Sequence, residues 1–306
     1  MGVDLKIVFR RCYFPILLLL LSFSPTLSWA SSDQEVNLVF GLYTTDKPTV
    51  LVKAFRPILT AIETDLSQSL GKPVTIRMHI SPTYERGVAA LVNGDVDFAR
   101  FGPASYVAAL EQNPDLRILA LDSKDGEQTT QGVICVLENS DYKSVSDLKD
   151  ARFAFGDEGS TIGRYLSQAY LVKHGVSARE LSHFEYLKRH DRVGHAVANG
   201  SFDAGALKVG TLRKLIKKGL PLRVLATFDN VNKPWIAHSN MSDEHFEALQ
   251  TVMFNLAAPD AFKAMSRKQF VAGADSDFQE IRDAINNNAM FFNVATSVDT
   301  AETQEQ

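Results

Sequence analysis

The sequence predicts a two-lobed α/β protein with mainly parallel sheets around a central cleft, and three observations predict it. Strand-like and helix-like segments alternate from residue 36 to about residue 240. The alternation comes in two rounds, the second starting at "GVICVL" (132–137). A helical pattern from Asp243 to Ala289 then closes the chain. Strands separated by a dozen or more helical residues need crossover connections, and crossovers build parallel sheets.

In the first round, "VNLVFGLY" (36–43) precedes a helical pattern over 50–70. "VTIRMHI" (74–80), a helix over 84–93, "VDFARF" (96–101), a helix over 104–112 and "LRILAL" (116–121) continue it. The second round adds "ARFAF" (151–155), a helix over 161–174, "LSHFEYL" (181–187), a helix over 191–199 and "FDAGAL" (202–207). "LRVLAT" (222–227) and "PWIAHS" (234–239) complete the strands. No short period repeats, which excludes a solenoid. The expected division is residues 31–130 plus 235–295 in one lobe and 131–234 in the other. The polar, acidic end at 296–306 is expected to be a flexible tail.

The first thirty residues read as a separate object. Arg10 and Arg11 precede an apolar run ending at Leu21, and "LSWA" places Ser28 and Ala30 at small-residue cleavage positions. That order marks a cleavable signal peptide and an exported, periplasmic product starting near Ser31. The apolar run is shorter than the roughly 20 residues a membrane span needs. Residues 1–30 carry Lys6, Arg10 and Arg11 against Asp4, so their removal takes the formal charge from −4 to −6. A chain this acidic is not a general nucleic-acid binder. Cys12 leaves with the leader, so Cys135 has no intramolecular disulfide partner. Its setting in "GVICVL" suits a buried, inert thiol.

In open α/β sheets ligands sit beyond the carboxyl ends of the strands. Three strand-to-helix turns stand out there. "GLYTTDKPT" places Tyr43, Thr44 and Thr45 before Pro48; "RFGPASY" opens a helix at Gly102 and Pro103 with Ser105 and Tyr106 in its first turn. "GDEGSTIG" follows the strand "RFAF", with Ser160 as N-cap, Thr161 beside it and Gly159 and Gly163 flanking the pair. Helix starts offer unpaired N–H groups and a positive dipole end, which favour an anion. Taken singly, each turn has an ordinary explanation: serine is a favoured N-cap and tyrosines pack. Their joint occurrence at equivalent strand ends carries the case. His190 begins a helix after "FEYL" at a fourth strand end and joins the set as a donor. His190 and His195 are five apart and share no helix face, so no metal site is expected. Asp157 and Glu158 would repel an anion and are expected to face outward.

Enzyme motifs are missing. Neither a G-x-x-x-x-G-K-[ST] loop nor H-E-x-x-H occurs, and Ser160 is not framed as G-x-S-x-G. No catalytic residue and no cofactor is expected.

"GLYTTDKPTVLVKAFRPIL", "YERGVAALVNGDVDFARFGPASYVAA", "GDEGSTIG" and "RHDRVGHAVANGSFDAGAL" resemble, in order and spacing, the PhnD-like solute-binding proteins of phosphonate, phosphite and phosphate importers. The similarity covers about 36–240. It implies a type 2 periplasmic-binding-protein fold whose lobes close on the tetrahedral head group. It further implies that Tyr43, Tyr106, Ser160, Thr161, Gly163 and His190 hold that group. Ile162 stands where the family's S-T-S-G turn has a second serine. Where aminophosphonate binders place an acid, this chain has Lys208 after "DAGAL" and Lys233 in "NKP", which argues for a smaller or more anionic ligand. The partners the resemblance implies are a small oxyanion and an inner-membrane ABC permease, with the chain a monomer. Two alternatives share the fold: a ligand-sensing partner of a membrane sensor kinase, and an enzyme like the thiamin-precursor synthases.

Overall fold

The computed structural model describes residues 1–2, 35–44, 48–124, 126–127 and 129–292. The expected signal peptide, its cleavage point, Thr45 and the acidic end lie outside the described residues.

The first round gives β1 (Val36–Tyr43), α1 (Pro48–Leu70), β2 (Val74–Ser81), α2 (Tyr84–Val92), β3 (Phe98–Arg100), α3 (Pro103–Gln112) and β4 (Arg117–Ser123). The second gives β5 (Thr129–Leu137), β6 (Arg152–Phe155), α4 (Leu166–Lys173), β7 (His183–Tyr186), α5 (His190–Ala198), β8 (Ala204–Lys208), α6 (Val209–Lys217) and β9 (Leu222–Val231). The return comprises β10 (Pro234–Ala237), α7 (Asp243–Asn255), α8 (Pro259–Ala264), β11 (Gln269–Val271), α9 (Gln279–Asn286) and α10 (Ala289–Phe292).

The strands form two sheets, ordered β11-β4-β10-β3-β1-β2 and β7-β6-β8-β5-β9. Both are mixed, whereas the sequence pointed to mainly parallel ones. Pairs joined by crossover helices are parallel: β1 with β2 and β3, β6 with β7 and β8. Antiparallel pairs arise where the chain passes between the sheets. β5 lies antiparallel between β8 and β9, and β10 returns antiparallel between β3 and β4. The expected helical tail also contains a strand, β11, antiparallel to β4.

Burial follows local pattern. α1 buries Leu51, Phe55, Ile58, Leu59, Ile62 and Leu66, a stripe at helical spacing. Against it the first sheet sets Trp235, stacked on Phe40 at 4.7 Å and edge-on to Phe270 at 5.1 Å. The second sheet buries Phe153 and Phe155, and α10 brings Phe291 to 5.4 Å from Phe155 and 5.6 Å from Phe184. Within the segment that the sequence reading gave to the first lobe, Trp235 thus packs in the first sheet and Phe291 against the second. Cys135 is a buried free thiol that burial pushes up to about 12, so it stays protonated.

Two crossings join the sheets, one between β4 and β5 and one between β9 and β10. They are tied together: the Asp122 N–H donates to Lys233 O at 3.1 Å, and Asn232 Nδ2 donates to Glu127 O at 2.6 Å. Lys233 thus stands on the hinge itself.

Candidate ligand-binding cleft

The strand-end turns of the two sheets meet. β1 ends in Tyr43, whose buried hydroxyl accepts the Gly102 N–H at 2.6 Å and lies 3.0 Å from Ser105 Oγ. Burial pushes Tyr43 up to about 12, so this hydroxyl keeps its proton. Tyr84, the first residue of α2, stacks on Tyr43 at 4.1 Å. Gly102 and Pro103 open α3; proline suits the first helical position, where its missing N–H costs nothing.

From the other sheet, β6 runs into the "GDEGSTIG" turn. Ser160 is the N-cap: its Oγ accepts the Gly163 N–H at 3.0 Å. Residues Thr161–Tyr165 form a wide π turn before α4, a geometry that is frequent at functional sites. Thr161 Oγ1 reaches across to the first lobe and accepts the Ala104 N–H at 2.9 Å, capping α3 from outside. Gly163 packs against Gly156: a Cβ on Gly163 would lie 2.8 Å from Gly156 Cα and 3.0 Å from Ser160 Oγ. Gly159 is likewise required for close approach, but of Tyr84, whose Cβ and ring would meet an added Cβ at 3.0–3.1 Å.

Between these turns lies a cavity of about 20 Å³ lined by Tyr43, Tyr84, Ser160, Thr161, Lys208 and Lys233, with Gly102, Pro103, Ile162 and Asn230 completing the wall. That volume is close to what one water needs. Three of the six sequence-predicted site residues therefore line one cavity: Tyr43, Ser160 and Thr161. Gly163 supports the Ser160 cap from behind. His190 begins α5, buried and outside the lining, with Nδ1 unpartnered. Burial, then Lys208 and Lys233, hold it well below the usual histidine value, so the ring is neutral.

Tyr106 lies elsewhere. Its hydroxyl donates to Asp275 Oδ1 at 2.7 Å and its ring packs on Phe278 at 4.5 Å. One residue along a helix turns the side chain by about 100°, so when Ser105 faces Tyr43, Tyr106 faces away from the cleft. Burial and the Asp275 hydrogen bond push its pKa up.

Tyr84 and Asn230 escaped the sequence reading. Tyr84 carried the same signal as the chosen turns, a helix start after a strand, with Thr83 as its N-cap. Asn230 lies within β9, an antiparallel strand, and strand-to-helix turns cannot point to it. Glu158 is exposed and pairs with Lys188 at 3.3 Å. Asp157 is half-buried, accepts the Gly159 N–H at 2.9 Å and does not line the cavity. A larger groove of about 600 Å³, bordered by Lys188, Arg189, Arg192 and His195, receives none of the predicted residues. Among the described residues, no helix is long and apolar enough to cross a membrane, and no cluster of three His, Cys, Asp or Glu could hold a metal ion.

Residues 40–278 match the family described as "ABC transporter, phosphonate, periplasmic substrate-binding protein". The chain belongs to this family. Within the phosphonate-binding family it is 29% identical over 227 residues to the probable ABC transporter phosphite binding protein PhnD1 of Prochlorococcus marinus, covering 67% of this chain and 73% of that protein. It is 31% identical over 147 residues to the phosphate-import protein PhnD of Mycolicibacterium smegmatis, covering 44% of this chain and 46% of that one. The fold matches the solved structure of the Prochlorococcus PhnD1 in complex with methylphosphonate, with a TM-score of 0.71, 22% identity, and 83% and 98% of the two chains covered. The two-lobe periplasmic-binding architecture is thereby shared, and the family and these relatives are solute-binding proteins.

Proposed function

We propose that this chain is a non-catalytic receptor that captures a small phosphorus oxyanion in the periplasm and presents it to an inner-membrane ABC permease by closing its lobes. One observation carries the reading. The Ser160 and Thr161 hydroxyls each accept a backbone N–H, so each retains its proton to donate, and both line one cavity with two lysines. A hydroxyl whose acceptor side is engaged, lining a cavity shared with two lysines, suits an anion. Phosphite, phosphate and methylphosphonate, named with the relatives, share a tetrahedral head group that such donors fit.

Charge-assisted hydrogen bonds contribute about 1.5–3 kcal/mol each. Four or five of them support micromolar affinity, roughly 8 kcal/mol net of closure and immobilisation. Thr161 ties ligand capture to closure, because the atom that meets the ligand also caps α3 of the opposite lobe. The scheme uses no metal, cofactor or nucleic acid, and a monomer suffices for it.

A thermal-shift panel of phosphate, phosphite, methylphosphonate, aminoethylphosphonate and sulfate tests the reading. A ligand present at 100 times its Kd should stabilise the protein by about 2.7 kcal/mol. No shift with any phosphorus oxyanion at millimolar concentration would overturn it. N-terminal sequencing of the exported protein should begin at or near Ser31; a product retaining Arg10 and Arg11 would contradict a soluble periplasmic receptor.

A further inference from the structure

The turn that carries the Ser160 and Thr161 hydroxyls is held from behind by a residue far away in the chain. Arg164 is the fourth residue of the π turn, and its backbone N–H donates to Ser160 O at 3.0 Å. Its guanidinium reaches back over the same turn. Nη1 donates to Glu158 O at 3.0 Å and Nη2 donates to Asn288 Oδ1 at 2.9 Å. The fork thus grips the chain before Ser160, while its own backbone grips it after. The guanidinium carbon lies 4.8 Å from the centre of the Tyr165 ring and 5.8 Å from that of Tyr186.

Asn288 is buried immediately before α10, and both ends of its amide are used. Its Nδ2 donates to Oε1 of the fully buried Gln168 at 2.7 Å, and Gln168 Nε2 donates to the Tyr186 hydroxyl at 2.8 Å. An arginine can only donate, so Asn288 must turn its oxygen to Arg164 and its Nδ2 to Gln168. The direction of the whole chain of bonds follows from that one constraint. Yet Asn288 is not part of the strand round that builds the turn. After β9 the chain adds β10 and β11 to the first sheet and only then arrives here. On the way Asp275 and Phe278 meet Tyr106 of α3, so this closing segment runs from α3 to the back of the binding turn.

We propose that Arg164 and Asn288 are positioning residues for the anion site: their bond sets where the Ser160 and Thr161 hydroxyls stand. This rests on the oxyanion reading above and adds the residues that hold its donors. Donors ordered beforehand add no ordering cost on binding, so the residues that hold them enter the affinity without touching the ligand. Loss of Asn288 Oδ1 takes a partner from a guanidinium whose buried Nε already has none among the described residues. A buried cation short of acceptors turns toward water, and the hold on Glu158 O is lost with it.

Titration calorimetry of the mature chain with methylphosphonate, phosphite and phosphate tests the link in wild type, Asn288→Leu, Asn288→Asp and Arg164→Lys. Asn288→Leu should weaken the oxyanion that wild type binds best by about tenfold. Asn288→Asp keeps an acceptor for the guanidinium and should stay within about threefold of wild type. Arg164→Lys keeps the charge but not the two-pronged reach, and should also lose about tenfold. A positioning residue acts through the hydroxyls it places. In a Thr161→Val background the loss from Asn288→Leu should therefore shrink to about threefold or less. Tyr106→Phe, at the other end of the same segment, controls for lost stability alone and should keep its affinity. If Asn288→Leu fails to fold, Arg164→Lys and its cycle with Thr161→Val decide. Wild-type affinity in Asn288→Leu or in Arg164→Lys, or a tenfold loss undiminished by Thr161→Val, overturns the positioning role and leaves the oxyanion reading standing. Failure of wild type to bind all three anions overturns both together.

Discussion

The two walls of the cleft are built from different chemistry. The first-lobe wall is neutral and aromatic: Tyr43 and Tyr84 stacked, with Gly102 and Pro103 at the start of α3. The facing wall and the hinge carry the Ser160 and Thr161 hydroxyls, Asn230 and both lysines. A tetrahedral anion needs donors and counter-charge, and the proposed site draws both from the second wall. Shape and exclusion of water come from the first. Damage to the second wall should change which ligand binds and how tightly, whereas residues behind the first wall should matter only for folding.

The largest expected effect comes from the support of the second wall. Gly163→Ala places a Cβ against Gly156 backbone, which cannot yield as a flexible side chain would. We expect a loss of about 3 kcal/mol in stability by chemical denaturation and a disturbed Ser160 cap. Wild-type stability in this variant would show that the Gly156 and Gly163 backbones separate at no cost.

Thr161→Val comes next. It keeps the shape but deletes the ligand donor and the cap on Ala104 N–H, so calorimetry should show binding weaker by about 2 kcal/mol, roughly 30-fold. Equal affinity for every oxyanion would reduce the turn to a helix start.

His190 predicts a pH effect whose sign follows from its buried, neutral ring. An unfolded histidine takes up a proton near pH 6.5. The native ring, held well below that value by burial and the two lysines, does not. As pH falls below about 6.5 the unfolded state binds the extra proton, and stability drops by up to about 1.4 kcal/mol per pH unit. Denaturation curves from pH 7 to 5 should show this slope in wild type and lose it in His190→Gln. A slope unchanged by the substitution would assign it to other groups.

The smallest effect sharpens the contrast between two tyrosines. Tyr106→Phe removes the bond to Asp275 and should cost about 1 kcal/mol of stability while leaving ligand affinity unchanged. An affinity loss would return Tyr106 to the site.

Much of this cleft was legible in the chain because helix starts announce themselves locally. A small hydroxyl residue after an apolar strand and before a helical pattern identified Ser160 and Thr161, and the same logic would have found Tyr84. Tyr106 falls outside the cavity lining because its placement depends on the rotation of α3 about its axis, which is set by packing on Phe278 rather than by position in the turn. Asn230 pairs with Thr130 and Lys208 with Gly132 across the antiparallel β5, and Lys233 is bonded to Asp122, all contacts between residues far apart in the chain. Local periodicity carries no record of such pairing. The antiparallel return of β10 was hidden for the same reason.

A crystal structure of the mature chain with bound methylphosphonate tests the central claim most directly. The account predicts ligand oxygens within about 2.5–3.0 Å of Ser160 Oγ and Thr161 Oγ1, with Lys208 or Lys233 within about 3 Å of the phosphonate. A phosphonate held instead in the outer groove beside Arg189 and Arg192, with Ser160 and Thr161 still bonded only to backbone, would contradict it.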